Sequence, residues 1–316
     1  MPFKNTVSIV IKNFVNVYKI LLFKIIAAVI ILSIAAATIL PILLPMLSSE
    51  EFVVIFDDLK NFIGAFFSGG NTKVYEEIFT QDAASLTSYL KEEATSVILV
   101  FTLALIYLLI DNFINGVSKF AFGHVVNEYL AKNAKEPYVY SFIKKLKKAC
   151  VFQLLYMAVA VTFDLAVLGI VIYVFVMLLG IVPILAPFAV VVLFLVLTAF
   201  RHSLTCFFLP SVIAGKRSVV EGIRYTGKIT FKHFGRNFSN YLAALLIIYA
   251  VNVLFALVTF FASLLITVPL SVFFIITLQF VLFYTAENKK YYIDYDHIVV
   301  PKDLREEEKL LNKMDI

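Results

Sequence analysis

The chain has 316 residues, 61% of them hydrophobic and 16% charged, with a net charge of +5 and a mean hydropathy of +0.93. Soluble domains carry about a quarter of their residues as charges and somewhat under half as apolar side chains, so this composition excludes an ordinary water-soluble fold and points to a lipid bilayer. Two cysteines, Cys150 and Cys206, exclude a disulfide framework and a cysteine-based metal site. The expected fold class is all-α: a polytopic membrane helical bundle of about six transmembrane helices in three hairpins, with interfacial amphipathic helices. The basic residues are 22 lysines and 5 arginines, a bias that suggests an AT-rich bacterial genome.

The first apolar run, 25–47, has no charged residue; at ~1.5 Å per residue it reaches about 34 Å, enough to cross a hydrocarbon core of ~30 Å. The basic segment in front of it (Lys4, Lys12, Lys19, Lys24) raises a cleaved signal peptide as an alternative, but the run is longer than a signal's apolar core. An uncleaved first span is expected, ending at Pro41 and Pro45. Residues 48–93 then hold nine acids and three lysines and form an outside loop. Phe52, Ile55, Phe56, Leu59, Ile63 and Phe66 recur there at helical spacing, which predicts an amphipathic helix before the break at Ser68–Asn71.

A second span is expected over 95–117, continuing as a polar helix through Glu128 and Leu130. Residues 149–200 contain one charged side chain, Asp164, and 238–286 contain none. Each stretch is far too long for one crossing, so each folds back on itself. The expected spans are 149–178 and 184–209, turning at Gly180, Pro183 and Pro187, then 238–262 and 270–286. The membrane domain is read as 1–290 and the remainder, 291–316, as a cytosolic tail with a short helix over 303–313. The N-terminal segment and the 117–148 and 201–237 loops hold 4, 7 and 7 basic residues, against 3 in the 48–93 loop. The positive-inside rule then places both termini in the cytosol of a cell-membrane, multi-pass protein.

A basic, partly amphipathic stretch precedes each hairpin. Lys12 and Lys19 lie in the first, Lys144, Lys145 and Lys148 in the second, and Arg224, Lys228, Lys232 and Arg236, spaced every four residues, in the third. Such helices lie along the membrane interface with cations among anionic headgroups, each contributing on the order of 1 kcal/mol. The alternative is that they are only the topology-setting charges that any multispanning protein carries.

Pro210 followed by Ser218-Val219-Val220-Glu221-Gly222-Ile223 and a basic helix resembles the membrane domain attached to some glycerophosphoryl diester phosphodiesterases and related stand-alone membrane families. Asn115-Gly116 and Tyr140-Ser141-Phe142 resemble that domain's loop after the second span. Gly222 stands where the family has alanine, and no phosphodiesterase domain is present. The resemblance implies a six-span membrane domain and carries over no catalytic residue.

Asp164 lies roughly 22 Å along its helix, where a carboxylate is expensive unless protonated, paired or hydrated. It reads either as an ion, proton or polar-substrate site, or as a structural carboxyl satisfied by neighbours such as Asn252 or Gln279. The four histidines show no metal-ligand spacing, and no phosphate loop, nucleophile elbow or nucleotide fingerprint occurs. The expected function is non-enzymatic, without cofactor or nucleic-acid partner: a domain that binds anionic lipid and serves as accessory to a separate enzyme or transporter. The alternative is a small-solute transporter or permease subunit.

Overall fold

The computed structural model describes residues 2–68, 82, 85–182 and 185–300. Among them are six helices long and apolar enough to cross a membrane, and the chain is an all-α, multi-pass membrane protein. It folds as two compact units, one made of residues 1–24 and 113–316, the other of residues 25–112.

In the first unit, α1 (Pro2–Lys12) turns Ile9 and Val10 into protein, at 1% and 4% exposure. Phe3 meets Phe274 at a ring separation of 5.3 Å, Asn5 donates to the Tyr291 hydroxyl at 2.6 Å, and Lys12 pairs with Asp294. Part of the apolar side of this basic stretch is thus covered by protein, while Ile11, Phe14 and Val15 stay exposed. The helix α2 (Val15–Leu47) starts before the expected 25–47 span, with Val17 and Ile20 in the core of the first unit.

The helix α3 (Glu50–Ser68) lies in the second unit, where Phe52 meets Phe56 and Tyr89 in ring contacts of 6.4 and 6.2 Å. The turn at Pro183, the break at 69–71 and the helix expected over 303–313 lie outside the described residues.

The 39-residue α4 (Ala94–Lys132) changes character halfway. Its first half carries one charge, Asp111, and no residue of its most apolar stretch is fully buried, as a lipid-facing helix allows. From Gly116 to Leu130 it carries small and aromatic residues and is buried along most of its length. Phe122 stacks on Tyr138 at 4.1 Å, the Ser118 and Tyr138 hydroxyls are hydrogen-bonded at 2.9 Å, and Gly116 lies against the Gln153 side chain so closely that a Cβ there would overlap it.

Two hairpins follow: α5 (Tyr138–Ile181) with α6 (Ala186–Thr205), and α9 (Phe234–Val258) with α10 (Leu264–Ala286). Between them run α7 (Phe208–Ile213) and α8 (Val219–Lys232). The second half of α10 is covered all round, with Leu278, Phe280, Val281, Leu282 and Phe283 at 0% exposure. A helix apolar on every side is stable in that position.

Residues 291 onward do not start as a tail. Asn288 takes a left-handed φ of 51°, and the chain turns into an antiparallel hairpin of β1 (Tyr291–Asp294) and β2 (His297–Val299). Tyr291 and Ile293 enter the core, and the Tyr129 hydroxyl donates to the Ile293 carbonyl at 3.0 Å.

The α7–α8 contact depends on a missing side chain. A Cβ on Gly222 would lie 2.6 Å from Val212 Cγ2 and 3.0 Å from Ser211 Oγ, and the Gly222 carbonyl accepts a hydrogen bond from Ser211 Oγ at 3.1 Å. Gly227, on the same helix, faces open space. Gly222→Val is therefore expected to lower stability by about 1–3 kcal/mol through overpacking. Gly227→Ala should raise it by several tenths of a kcal/mol through helix propensity. Thermal melts in detergent read both, and equal effects at the two glycines would contradict the packing.

Candidate functional site

Five lysines of the first unit line one cleft. Pro137 sits at the N-cap of α5 in extended conformation, so the lysines that follow fall on the helix's opening turns. Lys148 is taken up structurally: its ammonium donates to the carbonyls of Val212 and Arg217 at 3.3 and 3.1 Å, tying α5 to the end of α7 and the loop beyond. Lys144 lies over the Tyr140 ring, 4.8 Å from its centroid, and donates to the Tyr140 hydroxyl at 2.6 Å.

Lys144, Lys145 and Lys148 line a cavity of about 650 Å³, together with Lys135 from the α4–α5 connection and Lys216 from the turn after α7. Lys216 holds a φ of 53°, a conformation that side-chain-bearing residues adopt at some cost. His124 of α4 also lines the cavity, and its Nε2 is buried with no hydrogen-bond partner among the described residues. Two acids oppose the five lysines. Glu128 is engaged by Lys132 at 3.1 Å, and Glu136 is the other.

Lys12 and Lys19 line a second, smaller cavity of about 150 Å³ that shares Lys135 and Glu136 as its wall. There Lys12 is neutralised by Asp294, and Lys19 donates to Asn16 Oδ1 at 3.1 Å.

The third basic group divides. Ser218 and Glu221 form a reciprocal capping box at the start of α8, which satisfies two orphan amides. Hydrogen bonds to Ser218 hold the Glu221 carboxyl below its usual range. Along α8, Val219, Gly222, Thr226, Ile229 and Thr230 turn inward, while Arg224, Lys228 and Lys232 are exposed beside Phe231, itself 73% exposed. The helix then breaks at His233. Arg236 consequently leaves the four-residue series, and its Nε and Nη2 are buried without hydrogen-bond partners among the described residues.

The intramembrane polar residues do not form one site. Asp164 of α5 pairs with Arg201 of α6 at 2.9 Å, with the Lys119 charge also bearing on it. Arg201 lies inside α6, not in the loop after it, and its side chain is only 16% exposed. Asn252 is bonded elsewhere, to the Ile248 carbonyl and to Ser271 Oγ of α10 at 2.8 and 3.3 Å. Tyr241, fully buried, stacks its ring on His202 at 5.5 Å, and Gln279 is on α10, apart from Asp164. Cys206 is fully buried and accepts from Asn237 at 3.3 Å. Among the described residues, no group of three or more His, Cys, Asp or Glu is arranged to hold a metal ion.

Sequence reasoning named Lys144, Lys145 and Lys148 but missed Lys135, Lys216 and His124 as their neighbours. Two of these sit in short connections and the third on the preceding helix, α4, and no spacing rule relates them. The partner of Asp164 was missed as well: Arg201 falls within the expected 184–209 span but was counted only among the basic residues of 201–237. No protein-family model matches the chain, and neither does any curated protein or solved structure.

Interhelical polar pairs in membranes contribute on the order of 1 kcal/mol. Asp164→Ala and Arg201→Ala are each expected to destabilise the protein in detergent by at least that much, since each leaves a charge without its partner. The double variant should lose less than the sum of the two. Strictly additive losses in a double-mutant cycle of thermal or denaturant stability would show that the pair contributes nothing.

Proposed function

We propose that this protein is a non-enzymatic membrane domain whose basic end holds the headgroups of anionic lipids, and that it serves as accessory to a separate enzyme or transporter. The observation that carries the reading is the outer face of α8, where Arg224, Lys228 and Lys232 stand exposed beside an exposed Phe231. An amphipathic helix with cations and an aromatic on its free side is suited to the boundary between headgroups and acyl chains. The lysine-lined cleft adds a second cationic surface in the same unit. The concentration of basic residues in three segments favours a cytosolic position for this end and for both termini. The resemblance of the 210–223 segment to a six-span membrane domain without catalytic residues agrees with an accessory role. The solute-transport alternative was motivated by Asp164 and by the repeated hairpins, and the ion pair of Asp164 with Arg201 gives that carboxylate a structural role as well.

Three surface cations at about 1 kcal/mol each supply ~3 kcal/mol of attraction to an anionic leaflet, on the order of a hundredfold in local lipid preference. Polymer-extracted native discs are expected to hold anionic lipid at least twofold enriched over the bulk membrane. The Arg224→Gln/Lys228→Gln/Lys232→Gln variant should return the ratio toward bulk. Discs of bulk composition around the unaltered protein would overturn the reading.

A further inference from the structure

The lysine cleft differs from the α8 face in kind. A flat basic surface attracts any anionic bilayer, whereas a concave site fixes the number and placement of charges it neutralises. Of the five lysines, Lys148 is spent on two backbone carbonyls. Glu128 is engaged by Lys132. Four ammonium groups, those of Lys135, Lys144, Lys145 and Lys216, therefore face a single remaining carboxylate, Glu136. Lysine presents a compact point charge with rotatable donors, which suits phosphate oxygens. His124 Nε2 is buried and unpartnered at the same cavity, and as an N–H it donates to an oxygen placed there. Tyr140 holds Lys144 at the rim, and Val212 and Ile213 supply an apolar part of the lining.

A phosphodiester carries one negative charge; a phosphomonoester carries nearly two at neutral pH, with three terminal oxygens. A surplus of three positive charges in one cleft matches the second better than the first. The volume, about 650 Å³, is in the range of ordinary small-ligand pockets and exceeds what a bare phosphate fills. An apolar wall next to the cations accommodates the carbon skeleton joined to that phosphate.

We propose that this cleft is a binding site for a phosphomonoester group, carried either by a lipid headgroup or by a small soluble molecule. The lipid source rests on the proposed function; the phosphate chemistry rests on the cleft alone.

The test uses the full chain in discs of zwitterionic lipid, titrated with dioctanoyl phosphatidate, dioctanoyl phosphatidylglycerol, glycerol 3-phosphate and inorganic phosphate, with binding read by calorimetry and native mass spectrometry. Phosphatidate is expected to bind about tenfold more tightly than phosphatidylglycerol. The Lys145→Gln/Lys216→Gln variant should abolish that difference while keeping the melting temperature of the parent, because Lys148 and its carbonyl partners are untouched. The α8 triple variant should leave the difference intact. Glycerol 3-phosphate binding as tightly as phosphatidate assigns the site to a soluble phosphomonoester; much weaker binding assigns it to the lipid. Equal affinity for monoester and diester, or a preference unmoved by the two cleft substitutions, overturns the proposal. Anionic enrichment in native discs would then still stand or fall on the α8 face, so the two failures are separable.

Discussion

The second half of α10 sets the arrangement of the first unit. Its residues from Phe273 to Tyr284 include a run with no exposed surface on any side, so protein has to approach it from every direction. α1 covers it through Phe3, α7 through Phe207 and its neighbours, and Tyr284 is bonded to Asn127 of α4 at 3.1 Å. Tyr284 also meets Tyr291 of the β-hairpin edge-on at 6.0 Å. Two other membrane-spanning stretches are thinly covered: no residue of the most apolar stretch of α4 is fully buried, and few of that of α5 are. That contrast has a physical cause. Apolar side chains gain nothing by leaving lipid for protein, while close to water the hydrophobic effect rewards burial at about 25 cal/mol per Å². The dense core therefore collects toward the basic end, where α1, the hairpin, α7 and α8 meet the ends of the spans.

The candidate ligand surfaces are consequences of that core. The lysine cleft needs α5 held against the α7 end, which Lys148 does through two carbonyl bonds. It also needs α4 to continue as rigid helix beyond its lipid-facing half, so that His124 reaches the same cavity. The exposed face of α8 is available because its other face is committed, with Gly222 fitted against Val212 and the capping box fixing where the helix begins. At the far end of that loop, Arg217 lies 3.5 Å over the Tyr225 ring and pairs with Glu287 at 3.8 Å, joining α8 to the end of α10.

Much of the span architecture was legible because the bilayer imposes a length on charge-free runs. Residues 238–286 had to be two helices on that ground alone, and the helices run 234–258 and 264–286. The polar continuation of α4 was legible for the same reason that Glu128 and Leu130 keep helical register. Charge-free length says nothing about charges placed inside a helix, however. Arg201, within the expected 184–209 span, was counted with the basic loop that follows, and so the partner of Asp164 was missed. A basic amphipathic stretch also looks the same whether lipid or protein covers its apolar side. α1 went to protein because Ile9 and Val10 found the α10 core, whereas the outer face of α8 remained free. The hairpin at 291–299 is too short to show a strand period against its charged flanks. The basic series every four residues was continuous in sequence, but the break at His233 separated Arg236 from the other three.

The central claim is that α1 and the β-hairpin close a single core on α10 although almost the whole chain separates them. Amide hydrogen exchange on the reconstituted protein, compared with its Tyr291→Ala variant, tests this most directly. The core predicts slow exchange at residues 6–12 in the parent and faster exchange there, together with residues 291–299, in the variant, because Tyr291 accepts the Asn5 bond and supports α1 from below. Exchange in α1 that is unaffected by losing the Tyr291 ring would mean that α1 is held by lipid and not by this core.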